Sequence, residues 1–224
     1  MSDVKTLEET LVEASVYLAK GDGKLPKFKK ERKRLSNIKI ESSNWTLRPD
    51  ILLCPNVPMP LHGMPPRKIL GSKWWNETRK TAYASTNFHC QACGTPKHRV
   101  KGSRKHLEGH ELYDTDYVAG TLTYVETVPL CPYCHNYIHD GRLEALLQKG
   151  QITRRKFAAV IQHGDEVLTR AGLTRPTKLE RDEAIMKGVL SGEFAMWSEW
   201  RLVLHGETYE PKFKDEQEWK EYHA

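Results

Sequence analysis

The feature that most constrains this chain is a pair of CxxC motifs, Cys90-Gln-Ala-Cys93 and Cys131-Pro-Tyr-Cys134, with residues 94–130 between them. Zn²⁺ takes four thiolates tetrahedrally, and each CxxC turn offers two sulfurs, so the two motifs complete a closed site. We expect no secretory signal peptide, and this weakens the interpretation of the cysteines as disulfides. A redox site is also disfavoured, because a redox CxxC motif needs only one pair of cysteines. The spacing therefore predicts a structural zinc site.

Composition favours a basic protein with an anionic partner. The formal charge is +6, 38% of the residues are hydrophobic, and no apolar run approaches the ~20 residues of a membrane span. A basic run covers 24–34, and a second cluster lies between the cysteine pairs: Arg99, Lys101, Arg104 and Lys105. A solvated surface explains the first cluster equally well. The second is predicted to contact the charged groups of a polyanionic partner, and we expect a cytoplasmic protein that contacts no membrane.

Hydrophobic periodicity and capping residues predict helical flanks. The predicted elements are a helix over 4–20, a Pro-rich wrapping arm over 36–72, a helix over 74–86, a helix from Thr153 to about Ala171, a helix over 178–190, a hairpin after Trp200 and a last helix capped by Asp215. This pattern divides the chain into an N-terminal part (1–85), a zinc-bound domain (86–150) and a C-terminal part of helices and hairpin (151–224).

Two histidines, His135 and His139, follow the second CxxC motif directly. Residues four apart share one face of a helix, so both imidazoles should point the same way. His135 lies about 100° around that helix from Cys134. The histidines should therefore form a second metal site apart from the cysteines, with Gly141 ending the helix.

The segment between the cysteine pairs completes a recognisable order. Its polar part reads His106-Leu-Glu108-Gly-His110-Glu111, and residues 120–130 are rich in extended-chain formers. The order of cysteine pair, His/Glu strand, extended segment, cysteine pair and helix with two histidines resembles the HNH family of His-Me finger (ββα-metal) nucleases. It is similar to the phage and bacterial subset with two CxxC knuckles. The resemblance covers about residues 88–141, and its strongest pieces are LEGHE and LCPYCHNYIH.

The resemblance implies an α+β fold with a zinc-stapled ββα-metal core and the flanking segments described above. It implies a metal-dependent DNA endonuclease in which His110, His135 and His139 hold Mg²⁺ or another divalent ion. One ion grips the scissile phosphate while a base activates water. Two departures stand out, since Glu111 replaces the family's base histidine and Glu126 replaces an asparagine.

These departures leave the base open. Glu111 could act as the general base if burial raises its pKa. His110 could be the base if Glu108 or Glu111 holds the metal instead, and His106 is a third candidate. They also leave two other classes of function open. One is a catalytically silent DNA-binding module on the same scaffold, and the other is a protein-binding module, such as an inhibitor, in which the zinc is purely structural.

Overall fold

The computed structural model describes residues 45–100 and 106–223. Within these residues the protein is α+β, with one four-stranded mixed sheet and seven α-helices. They belong to one compact unit, Ser42–Ala224. The predicted helix over 4–20 and the basic run over 24–34 lie outside the described residues. No helix in the described ranges combines the length and the apolarity that a membrane span requires.

A long hairpin forms the first half of the sheet. Strand β1 (Glu108–Asp116) pairs antiparallel with β2 (Thr121–Leu130), starting with Glu108 opposite Leu130. The register shifts between Leu112 and Tyr113, which marks a β-bulge. At the turn, the Asp116 carboxylate accepts hydrogen bonds from two following backbone amides, at 2.9 and 2.8 Å.

The predicted C-terminal hairpin is confirmed and extends this sheet. Strand β3 (Arg201–Leu204) pairs with β4 (Glu207–Tyr209) antiparallel and with β2 in parallel, which gives the order β1-β2-β3-β4. Leu202 and Leu204 are buried, while Arg201 and Val203 are partly exposed. This alternation is the period-2 pattern of a strand with one face on the core.

The helices match the sequence patterns closely. They are α1 (Pro66–Ile69), α2 (Gly71–Ser85), α3 (Pro132–Ile138), α4 (Asp140–Gln148), α5 (Arg154–Arg170), α6 (Lys178–Leu190) and α7 (Glu216–His223). Thr153 caps α5 through a hydrogen bond from the Lys156 amide, at 3.2 Å, and Asp215 accepts one from the Glu218 amide, at 2.9 Å. Both predicted caps are therefore confirmed.

The prediction that Gly141 ends the first helix after the knuckle is wrong. Helix α3 ends at Ile138, and Gly141 lies inside α4. His139 forms the junction with φ −85° and ψ 54°, outside the helical region. Asp140 begins the new helix, where a carboxylate complements the helix dipole.

Within the described residues the hydrophobic core has two clusters. The first surrounds the knuckles and includes Leu130, Tyr137 and Val160, together with Ile51 and Leu52 from the Pro-rich segment. The second joins the hairpin β3–β4 to the remaining part of that segment, through residues that include Leu61, Leu122, Trp200, Leu202 and Leu204. The Pro-rich segment therefore packs onto the core as ordered chain, although its regular elements are only short turns of helix.

Candidate metal centres

The four cysteines form one cluster that is positioned to bind a metal. The sulfurs of Cys90, Cys93, Cys131 and Cys134 all lie within 4.8 Å of one another. In the described part of the chain these residues form no disulfide. Three of the side chains are buried and Cys93 is half-buried. Four thiols so close together and shielded from water are a donor set that can hold a metal ion.

Local backbone geometry builds each knuckle. In the first, Gly94 adopts φ +73°, and its amide donates a 2.8 Å hydrogen bond to the carbonyl of Cys90. Glycine adopts this conformation at little cost. In the second, Cys131 is the N-cap of α3, and its sulfur accepts a hydrogen bond from the Cys134 amide. The Gln91 amide donates to the carbonyl of Pro129, at 2.8 Å, which ties the first knuckle to β2.

A fifth side chain, His163, reaches the cysteine cluster from α5. Its Nε2 lies 3.3 Å from the Cys134 sulfur and 3.9 Å from the Cys131 sulfur. The hydrogen bond to Cys131 is the main cause that raises the pKa of His163 to about 9. Sequence reasoning missed this residue, because a single histidine on an amphipathic helix gives no local signal of a contact 29 residues away.

The three histidines form a second cluster positioned to bind a metal. The ring nitrogens of His110 on β1, His135 on α3 and His139 at the end of α3 lie within 4.8 Å of one another. The ring centroids are 4.8–5.3 Å apart. The predicted convergence of these imidazoles is confirmed, as is their separation from the cysteine cluster.

The surroundings favour the neutral, metal-binding form of two of these imidazoles, His110 and His139. Burial, helped by the two neighbouring histidines, holds the pKa of His110 well below its ordinary value. Burial also lowers the pKa of His139 to about 4. Nδ1 of His110 is buried and has no hydrogen-bond partner within the described residues. An unpartnered buried nitrogen is costly, and a metal bond would satisfy it.

Glu108 orients the second ligand of the histidine cluster. One carboxylate oxygen accepts a 2.6 Å hydrogen bond from Nδ1 of His135, and this bond is the main cause that lowers the pKa of Glu108. The other oxygen lies 3.8 Å from Nε2 of His106. Alternate residues of a strand share one face, so His106, Glu108 and His110 lie on the same side of β1 and its N-terminal extension.

Glu111 is not part of the convergent set. Its side chain leaves β1 on the opposite face from His110, the face on which a Cβ at Gly109 would meet Trp75 of α2 at 3.0 Å. Burial raises the pKa of Glu111, and Oε1 is buried with no hydrogen-bond partner among residues 45–100 and 106–223. Glu126, at the family's asparagine position, pairs with Arg48 at 2.5 Å.

A network of charges fixes the junction that carries His139. The carboxylate of the neighbouring Asp140 pairs with Arg175 at 3.2 Å and with Arg181, and it accepts a 3.0 Å hydrogen bond from Asn56. Burial opposes ionisation of Asp140, yet these partners together lower its pKa. Segments distant in sequence thus hold the end of α3.

The predicted DNA-binding cations are only partly described. Arg99 is exposed at the end of a short 3₁₀ turn, Lys97–Arg99. Lys101, Arg104 and Lys105 lie outside the described residues.

Comparisons of this chain with protein-family models, with curated proteins and with solved structures found no significant match. Function is therefore inferred from the geometry of the two centres.

Proposed function

We propose that this protein is a metal-dependent DNA endonuclease of the HNH type that hydrolyses phosphodiester bonds. The convergence of His110, His135 and His139 carries the proposal. These residues come from a β-hairpin and the helix that follows it, and the cysteine cluster lies beside them as a separate centre. A purely structural scaffold would need only the cysteines.

The donor sets fit two different ions. Four thiols suit zinc in a closed site, for which we propose a structural role. Three convergent imidazoles, one with a buried nitrogen that has no hydrogen-bond partner among the described residues, suit a divalent transition metal, and they would leave positions for phosphate oxygens. When bound at the histidines, a divalent ion supplies Lewis-acid stabilisation of the negative charge that develops on the phosphate.

The protein's own groups position the ligands and move the proton. Glu108 holds the His135 ring through Nδ1, so Nε2 is the nitrogen turned to the metal. His110 is engaged as a ligand, which leaves His106 as the base we favour. Its side chain is 42% exposed, so water can reach it, and it shares the strand face of His110. Nε2 of His106 then takes the proton of the attacking water.

A DNA substrate is supported by the charge of the surrounding sequence. The stretch between Glu77 and Glu108 contains no acidic residue, but it contains seven Lys or Arg residues. Such a stretch neutralises backbone phosphates without reading the sequence.

Cleavage of supercoiled plasmid in the presence of magnesium, manganese, nickel or zinc tests the proposal. The wild type should cut with at least one ion, and His135→Ala should abolish cleavage while the cysteine site keeps its zinc. Lys149→Ala, an exposed cation after α4, is the matched control and should cut like the wild type. Absence of cleavage with all four ions would contradict the proposal.

One observation favours a second function, a catalytically silent DNA-binding module. Glu111 stands where the family carries its base, and its carboxyl is buried on the α2 face of the sheet. If His106 does not replace that base, the metal would hold DNA without cutting it.

A further inference from the structure

The chain between α2 and the first knuckle has an unusual backbone. Asn87 and Phe88 adopt φ values of +49° and +58°. Asparagine is common in this left-handed region after a helix, and the Asn87 amide bonds to the carbonyl of Ala84 at 3.0 Å. A bulky aromatic residue there is a genuine outlier. Strain of this kind persists only where surrounding contacts impose it, and it is concentrated at functional sites.

The strained backbone holds an aromatic ring in solvent. Phe88 is 44% exposed, although its amide is anchored to the carbonyl of Tyr83 at 2.8 Å. The next side chain, His89, is held in place by a 2.8 Å contact of Nδ1 with the Asn87 carbonyl. Its ring stacks on Trp45 with centroids 5.3 Å apart. The segment thus presents fixed rings at the surface instead of burying them.

Cations face this segment across an open cleft. The Lys97 amide donates to the carbonyl of Phe88 at 2.9 Å, and the Lys97 ammonium lies 5.7 Å from the Phe88 ring centroid. The cleft measures about 490 Å³, and its lining is Asn87, Phe88, His89, Pro96, Lys97 and His98. Exposed Arg99, next to this lining in sequence, continues the cationic side. Among the described residues, no carboxylate belongs to this lining.

We infer that this cleft binds a single-stranded segment of nucleic acid, with one base stacked on Phe88 and the adjacent phosphates beside Lys97 and Arg99. A nucleic-acid base can stack its π-face on the exposed ring of Phe88. The phosphates of the strand supply the negative charge that would pair with the cations. Aromatic rings alternating with cations are the usual platform for single strands. An acidic peptide would satisfy the cations but would leave the aromatic ring in water.

This inference rests on the proposed function in that both take nucleic acid as the partner. Binding can nevertheless be measured without cleavage. We would use fluorescence anisotropy with a labelled oligothymidylate and with an abasic strand of equal length, with no divalent ion added. Plasmid cleavage by the same preparations reports the histidine centre separately.

Phe88→Gly is the decisive variant, because glycine adopts φ +58° without steric conflict. The variant should unfold at the same or a higher temperature than the wild type. Its affinity for oligothymidylate should fall about tenfold, the usual effect of losing one base–aromatic stack. Its affinity for the abasic strand should stay within about twofold. Tyr222→Ala, which removes another exposed aromatic ring, should leave both affinities unchanged.

Lys97→Ala should lower the affinity for both strands by the same factor. It should also reduce the salt dependence of that affinity by roughly 0.7 log units per log unit of salt. Wild-type affinity in Phe88→Gly, or equal losses on the two strands, would overturn the inference. If the protein cleaves plasmid but Phe88→Gly gives either of these results, the proposed nuclease function stands and only the cleft inference fails. If the variants bind as expected but the wild type cuts no plasmid, the inference about the cleft stands and the proposed nuclease function fails.

Discussion

The carboxylate of Glu108 accepts a 2.6 Å hydrogen bond from Nδ1 of His135, and so joins the first strand to the helix that follows the second knuckle. Both residues are only partly exposed. The bond fixes the orientation and the tautomer of the ring and makes Nε2 the nitrogen available to a metal. A carboxylate that supports a metal-binding histidine in this way orients the ring and makes it a more basic ligand.

Glu108→Gln should therefore weaken metal binding at the histidines by about 10- to 100-fold, because the amide keeps the shape but loses the charge. Titration of Co²⁺ or Mn²⁺ into zinc-loaded protein measures this affinity. Glu144→Gln removes the carboxylate of an exposed ion pair with Lys178 and is the matched control. Equal affinities for Glu108→Gln and the wild type would show that the 2.6 Å bond has no influence on the metal.

The cysteine centre should be essential for folding. Structural zinc in small sites contributes an apparent ~10–16 kcal/mol, which matches or exceeds the whole net stability of many domains. Cys134→Ser should therefore yield insoluble or partly unfolded protein, and metal analysis of the wild type should find about one tightly held zinc per chain. A folded wild type that contains no zinc would contradict this prediction.

Helix α5 packs against α3 at a glycine. A Cβ at Gly164 would lie 2.1 Å from Cδ2 of Tyr137, a side chain that is itself 2% exposed. Gly164→Ala should therefore destabilise the fold by about 1–3 kcal/mol, the usual cost of overpacking a core. Gly141→Ala in α4 is the control, because a Cβ there meets no heavy atom within 4 Å. Urea denaturation should show lower stability for the first variant and equal or higher stability for the second.

Local patterns predicted most of the elements. Apolar spacing and the cap at Thr153 specify α5, and the alternation after Trp200 specifies the hairpin β3–β4. The two cysteine pairs and the pair His135 and His139 were predictable because the spacing within each pair is local. The meeting of the two cysteine pairs follows from the four ligands that zinc takes, and the place of His110 beside the other histidines was expected from the family resemblance.

The unpredicted features depend on distant contacts. The parallel pairing of β2 with β3 joins segments that no local pattern relates. The break at His139 lies next to Asp140, which forms ion pairs with Arg175 and Arg181, far along the chain. His163 reaches the cysteines only because α5 packs on α3. Sequence periodicity indicates which face of a helix is buried, but it does not indicate which element covers that face.

The identity of the base decides between the two functions. His106 lies 3.8 Å from Glu108 on the strand face of His110, and its side chain is open to water. The Glu111 side chain lies on the other face of β1, and its Oε1 is buried with no hydrogen-bond partner in the part of the chain that the structure describes. If His106 is the base, His106→Ala should lower the cleavage rate by about 10²- to 10⁴-fold, the usual contribution of general-base catalysis, and should leave metal affinity unchanged. Glu111→Gln should lower the rate by less than about threefold, because its carboxyl lies outside the metal cluster.

Glu111→His provides the opposite test, since it restores the paired histidines of the family that the sequence resembles. If the wild type fails to cut plasmid with magnesium, manganese, nickel and zinc but Glu111→His cuts it, the native protein is a silent DNA-binding module. In an active wild type, a rate retained in His106→Ala but lost in Glu111→Gln would assign the proton to the buried carboxyl. Burial already raises the pKa of Glu111, which makes its carboxylate a stronger base than an exposed one. Anisotropy measurements on the same variants should show unchanged DNA affinity, so that a lost rate reports the proton transfer and not the binding.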